Sequence, residues 1–192
     1  MESWFVRFIG RLVIRLGGWT IEAGLPEGVK KAVLVSGPHT SNWDFIWSRF
    51  AMYSLGVGVK FTIKKEFMRF PFGPILRAMG AIPIDRSRPG AGQVGGQSST
   101  DTIVDIFNER EYLYLIVTPE GTRDYAPNWK TGFYYVAQGA NVPIFPAYLN
   151  YKNRTTGIGP RFEPTGDLDA DIEALKDFYR DKQGRHPEKG IY

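Results

Sequence analysis

Apolar residues fall into short runs broken by Gly, Pro, Ser and Asn, and two periods alternate along the chain. Runs rich in β-branched, aliphatic and aromatic residues predict strands at Trp19 to Glu22, Ala32 to Ser36, Val59 to Ile63, Ala81 to Ile84, Tyr112 to Thr118 and Val142 to Leu149, with a weaker one at Gly157 to Phe162. Between them the spacing predicts helices at Ser41 to Leu55, Phe72 to Met79, Thr100 to Glu109 and Thr131 to Gln138. A closing helix from Asp169 to Lys182 has Ile172, Leu175 and Phe178 on one face. Such alternation predicts an α/β fold: a single domain with a mostly parallel, mixed central sheet flanked by helices. No internal repeat or linker divides the chain, and 192 residues suit one core. The Gly- and Ser-rich segment from Ser87 to Ser99 reads as a mobile loop.

The N-terminus has a different pattern. Within "SWFVRFIGRLVIRL" (Ser3 to Leu16), Arg7, Arg11 and Arg15 recur at steps of four. On a helix they drift only about 80° and form one stripe. Trp4, Phe5 and Phe8 belong to a broad apolar arc around the rest of the circumference. This describes either a helix lying in a membrane interface or one packed on its own domain with the arginines outward. The arginines interrupt what would be the apolar core of a cleaved signal peptide. No stretch reaches the roughly 18 to 20 apolar residues a spanning helix requires.

Composition narrows the chemistry. With no cysteine, there is no disulfide framework, thiolate nucleophile or cysteine-based metal site. Two histidines are too few for the usual imidazole-rich metal centre, so no metal is expected. The net charge of +4 matters once it is located. Lys60, Lys64, Lys65, Arg69, Arg77, Arg86 and Arg88 face only Glu66 and Asp85 in that stretch, which would attract an acidic substrate or an anionic membrane surface.

In "SGPHTSNWDFIW", His39 precedes a helix whose first turn contains Asp44. With Gly37 and Pro38 ending the strand and Ser41 or Asn42 capping the helix, the imidazole can fold back onto the carboxylate. An Asp on one ring nitrogen fixes the tautomer, leaving the other to take a proton from a hydroxyl. This spacing alone is a weak signal, arising by chance about one time in ten. A second motif, "TPEGTRD" (Thr118 to Asp124), follows the apolar run "YLYLIVT", so Glu120, Gly121, Thr122 and Arg123 would emerge at the carboxyl end of a strand, where α/β sheets bind ligands. The two motifs together arise by chance roughly once in two thousand such chains. Gly90 to Gly95 satisfies G-x-G-x-x-G, but Arg88 and Pro89 separate it from the preceding strand, which argues against a nucleotide site.

In this order, HTSNWD and PEGTR resemble the H-x-x-x-x-D and E-G-T-R signatures of the glycerophospholipid acyltransferase family, the lysophosphatidate acyltransferase-like enzymes of phospholipid biosynthesis. "GAIPIDR" (Gly80 to Arg86) and "VPIFPAY" (Val142 to Tyr148) are similar to two further blocks of that family, and "KTGFYYVA" (Lys130 to Ala137) to the segment after E-G-T-R. The resemblance implies a glycerolphosphate acyltransferase-like fold, with an N-terminal amphipathic helix over residues 1–18 and an acyltransferase domain over 19–192. It implies transfer of a fatty acyl group from a thioester co-substrate, acyl-CoA or acyl carrier protein, to a hydroxyl of a lysophospholipid such as 1-acyl-glycerol-3-phosphate, with no bound cofactor. His39 would be the base and Asp44 its orienting partner. Arg86 and Arg123 would hold the acceptor phosphate, Glu120, Gly121 and Thr122 would shape its site, and Lys64, Lys65 and Lys130 are further candidate phosphate contacts. The expected partners are the lipid acceptor, the acyl donor and an anionic membrane surface at the cytoplasmic face, contacted peripherally or monotopically; nucleic acid is not among them.

The chain departs from the family pattern at Pro38, where Asn is frequent, at Pro83, and at Thr118 and Asp124 around P-E-G-T-R. Asp124 puts a negative charge beside the supposed phosphate site, which opens the acceptor to other headgroups. Two other readings remain at this level. A serine lipid hydrolase lacks its G-x-S-x-G elbow, and a non-enzymatic peripheral protein would use the arginines only to dock on anionic lipid.

Overall fold

The computed structural model describes residues 2–84 and 98–191, so Arg86 and the Gly90 to Gly95 motif lie outside the described residues. Strands β1 (Thr20–Ile21), β2 (Lys31–Gly37), β3 (Val59–Lys64), β4 (Ala81–Ile84), β5 (Leu113–Val117), β6 (Ile144–Asn150) and β7 (Thr155–Ile158) form one sheet in the order β1-β7-β6-β2-β5-β3-β4. Every pair is parallel except β6 with β7. The helices are α1 (Trp4–Leu16), α2 (Asn42–Leu55), α3 (Phe72–Ala78), α4 (Ser99–Asn108), α5 (Gly132–Gly139) and α6 (Leu168–Tyr179). This is the mostly parallel, mixed α/β sheet with flanking helices that the pattern predicts.

β2 and β6 form the centre because their apolar runs do not alternate, as befits strands covered on both faces. Val33 and Val35 of β2 pack with Phe107 of α4, Val136 of α5 and Leu175 and Tyr179 of α6. Ala32 and Leu34 face the other way, towards Met52 of α2. α1 lies on α2, and Ile14, Trp19 and Ala51 form a small core beneath it. The two helices run antiparallel: Arg7 lies by Gly56, Gly10 by Phe50 and Ser54, and Gly17 by Trp47. Only glycine fits at position 10, where a Cβ would lie 2.6 Å from the Ser54 nitrogen.

Two ends differ from expectation. The last strand begins at Thr155 and stops at Ile158, because Pro160 has no N–H to donate; beyond it, Phe162 makes only an isolated bridge to Ile144. α6 stops at Tyr179, three residues before the predicted Lys182. There the Asn150 side chain accepts from the Gln183 N–H, and the Gln183 carbonyl accepts from the Tyr151 N–H, which draws the chain away from the helix.

Parallel register sets the functional end of the sheet. Val35 pairs with Val117, so the segments leaving β2 and β5 emerge side by side. β3 pairs with β5 only at Val59 and Lys60, then turns to β4 from Phe61 onward. The sheet therefore splits between β3 and β5 towards its carboxyl edge.

Candidate active site

His39 leaves β2 after Gly37 and Pro38, and Ser41 caps α2 with its hydroxyl accepting from the Trp43 N–H. Asp44 closes the cap from the helix side: its Oδ2 accepts from the N–H groups of Thr40 and Ser41, both at 2.8 Å. The same oxygen lies 3.4 Å from His39 Nδ1. The cap that starts the helix thus also fixes the carboxylate facing the imidazole. The Tyr151 hydroxyl donates to the other oxygen, Oδ1, at 2.7 Å. Burial first, and then the Asp44 carboxylate, push the Tyr151 phenol well above its ordinary range, so it remains a donor. The imidazole is 23% exposed, turned towards the cleft rather than the core.

From β5 comes the second arm. The Glu120 Oε2 accepts from the His39 main-chain N–H at 2.8 Å, while Oε1 is buried without a hydrogen-bond partner among the described residues. Burial pushes its carboxyl up to about 7, aided by the nearby Asp44 charge and opposed by the His39 N–H. Gly121 adopts φ +65°, and the Lys130 side chain crosses it so closely that a Cβ would lie 2.5 Å from Nζ. The Thr122 hydroxyl accepts from the Asp124 N–H at 3.3 Å. Arg123 donates to the side-chain oxygen of Asn42, the first residue of α2. The Asp124 carboxylate pairs with Lys189 at 2.7 Å, so its charge is answered by the C-terminal tail.

Several of these groups line a cleft of about 910 Å³. Its polar end has His39, Asp44, Asn42, Gly121, Thr122, Arg123 and Lys130. Its apolar end enters the split between β3 and β5, bounded by Phe61, Ile84, Ile103, Leu115, Ile116 and Val136. Of the residues singled out by sequence, His39, Asp44, Gly121, Thr122, Arg123 and Lys130 converge here. Glu120 lies behind the loop, on the His39 backbone. Lys64 ends β3 and Lys65 follows it, both exposed and outside the cleft lining. Trp4, Phe5, Phe8, Arg7, Arg11 and Arg15 are exposed on α1, while Gly10 and Ile14 of the same helix are buried.

The sequence reading missed Tyr151, Asn42 and Lys189. Only register reveals Tyr151: Gly37 pairs with Tyr148, so Tyr151 falls alongside Thr40. His186, half-exposed in the tail, has Glu188 3.8 Å away, and its N–H donates to the Thr40 hydroxyl at 3.2 Å. The tail therefore braces the histidine loop.

A sheet that delivers a histidine–carboxylate pair and a cationic loop to one cleft, half polar and half apolar, defines an α/β enzyme. The chain belongs to the Acyltransferase family, whose model matches residues 20–150. Among solved structures, it is similar to PlsC from Thermotoga maritima, a 1-acyl-sn-glycerophosphate (LPA) acyltransferase. The TM-score is 0.60 at 14% identity, over 90% of this chain and 76% of that one. No curated protein matches it by sequence.

Proposed function

We propose that this acyltransferase moves a fatty acyl group from an acyl thioester, acyl-CoA or acyl carrier protein, to a hydroxyl of a lysophospholipid such as 1-acyl-glycerol-3-phosphate. The observation that carries the reading is the His39 Nδ1 to Asp44 Oδ2 approach of 3.4 Å, in a cleft that also holds Arg123 and Lys130. His39 Nε2 takes the acceptor's hydroxyl proton as the oxygen attacks the thioester carbonyl. Asp44 holds the ring and stabilises the imidazolium that forms. Collapse of the tetrahedral adduct breaks the C–S bond, and the departing thiolate recovers the proton from His39. The thioester is already activated, so direct transfer requires positioning rather than a covalent acyl-enzyme.

Arg123 and Lys130 meet the acceptor phosphate, one as a planar fork and one as a point charge. Arg86 adds a second guanidinium in this reading. Gly121 and Thr122 shape the turn that presents Arg123. The apolar split between β3 and β5 suits a fatty acyl chain, and the aromatic and cationic surface of α1 suits an anionic membrane at the cytoplasmic face. Residues 1–18 would then be the interfacial segment and 19–192 the acyltransferase domain.

The test offers purified full-length protein a panel of lysolipids with radiolabelled acyl thioesters in liposomes. Acylation of a phosphate-bearing acceptor, abolished by His39→Ala with liposome binding intact, is expected. Folded, membrane-bound protein that acylates no acceptor would sink the reading. A burst of free thiol with a trapped acyl-serine would favour a hydrolase route over direct transfer.

A further inference from the structure

We infer that the segment from Lys64 to Arg77 is a second lipid-docking surface, separate from α1, which seats the mouth of the cleft on an anionic bilayer. The inference rests on the lipid-acylation reading above for its choice of partner.

Outside α1 and the first turns of α2, where Trp43, Phe45 and Ile46 are exposed, this segment departs furthest from the burial rule of the domain. Phe67 is 60% exposed, Phe70 89%, Phe72 67% and Ile75 59%. Isolated exposed apolar residues are ordinary, but four within nine positions form a patch that a soluble surface seldom retains. Its geometry is built, not frayed: the turn Lys65–Met68 and α3 fold on each other so tightly that a Cβ on Gly73 would lie 2.1 Å from the Met68 carbonyl oxygen.

Charge selects the partner. Lys64, Lys65, Arg69 and Arg77 surround the aromatics, with Glu66 alone opposing them. Aromatic side chains flanked by cations suit the interface of an anionic bilayer, where rings enter the headgroup layer and the cations meet phosphates. The wider molecule has the same polarity. Residues 2–84 hold eleven Lys and Arg against five Asp and Glu, whereas residues 98–191 hold eleven against fourteen. Among the described residues, exposed large apolar side chains after Ile84 are limited to Tyr112, Tyr125 and Tyr135.

Position explains the use. Phe61 and Thr62 of β3 line the cleft, and the patch begins at Lys64, two residues on. The Phe61 ring packs edge-on against Phe45 of α2, itself partly exposed, with centroids 5.8 Å apart. Both rings line the cleft at the root of the patch, so in this inference a lipid chain entering from the bilayer meets apolar side chains first. Lys64 and Lys65 stand outside the cleft because their anions are in the bilayer.

The absence of cysteine makes the test specific, since a single introduced thiol labels at one position. Full-length Phe70→Cys and Tyr135→Cys, each with an environment-sensitive fluorophore, are mixed with vesicles of phosphatidylcholine and phosphatidylglycerol in equal parts. The fluorophore at 70 is expected to shift to the blue, the one at 135 to stay aqueous, and high salt to reverse the shift. The double substitution Phe70→Ser with Phe72→Ser is expected to lower vesicle partitioning about tenfold. Turnover of a water-soluble short-chain thioester and acceptor should be unchanged. Three results would overturn the inference: a fluorophore at 70 that stays aqueous on bound protein, unchanged partitioning of the double variant, or a blue shift that follows protein concentration without lipid, which would assign the patch to a second copy of the chain. Binding is read without turnover, so chain that docks as described yet acylates nothing would count against the proposed function alone.

Discussion

The Glu120 carboxylate accepts a hydrogen bond from the main-chain N–H of His39 at 2.8 Å, across two strands that are neighbours in space and distant in sequence. This contact gives the glutamate of E-G-T-R a role that sequence could not: it locks the backbone that presents the imidazole. Glu120→Ala removes the acceptor and leaves a half-buried N–H unpaired, at a cost of about 1–3 kcal/mol. Acyl transfer is expected to fall about 10- to 100-fold, in kcat rather than KM. Glu120→Gln keeps a carbonyl oxygen there and should retain most of the activity. Steady-state kinetics on both variants checks this, and an equal loss in Gln and Ala would count against a positioning role.

The same carboxyl should shape stability against pH. Its pKa is raised from an ordinary 4.5 to about 7 by burial. Between those values the folded protein holds a proton that the unfolded chain has released, so stability falls as pH rises through the window and levels off above it. A shift of this size corresponds to about 3 kcal/mol. Glu120→Gln carries no such proton, so its stability relative to wild type should grow from pH 4.5 to pH 7. Urea unfolding of both proteins across that range provides the measurement; parallel profiles would contradict the burial of the charge.

Tyr151→Phe tests the other side of the histidine loop. It deletes the donor to Asp44 Oδ1 while preserving the ring that packs edge-on against Trp19. Asp44 is 4% exposed, so the lost hydrogen bond to a carboxylate should destabilise the fold by about 1–3 kcal/mol. Because Asp44 also faces His39, the pH dependence of kcat should move with the stability. Thermal unfolding and a pH–rate profile read the two effects separately, and loss of stability with an unmoved profile would confine Tyr151 to a structural role.

How much of this was legible beforehand follows the range of the interactions. Strand and helix positions were readable because period and capping are local: Ser41 and Asp44 announce α2 and also place the carboxylate near His39. The convergence of the His39 and Gly121 to Arg123 segments was readable once the strands were taken as parallel, since both leave carboxyl ends. Tyr151 and Asn42 were not, because their contacts depend on strand order, and no local pattern encodes that β6 and β5 flank β2; Lys189 was not, because the tail that places it docks on Thr40, far back in the chain. The early end of α6 had the same origin, a backbone captured by Asn150 and Tyr151, whereas β7 ends for a local reason, the missing N–H of Pro160. For α1 the sequence offered two readings, and the helix combines features of both: Gly10 and Ile14 pack on the domain, while Trp4, Phe5 and Phe8 remain exposed beside the arginines.

Gly121 joins conformation to chemistry and allows a double-mutant test. At φ +65° an alanine is strained by about 1–2 kcal/mol whatever its surroundings. Its Cβ must also displace Lys130, whose Nζ, Cε and Cδ lie 2.5, 2.6 and 2.9 Å from that position. Gly121→Ala should therefore lower stability and, by moving the ammonium, raise KM for a phosphate-bearing acceptor. Lys130→Ala alone should raise KM similarly with little loss of stability, because an exposed lysine contributes little to the fold. With Lys130 already truncated, Gly121→Ala retains its conformational cost but has no ammonium left to move, so the effects on KM should fail to add while those on stability do. Additive KM effects would mean that Lys130 and the Gly121 turn act on the acceptor independently.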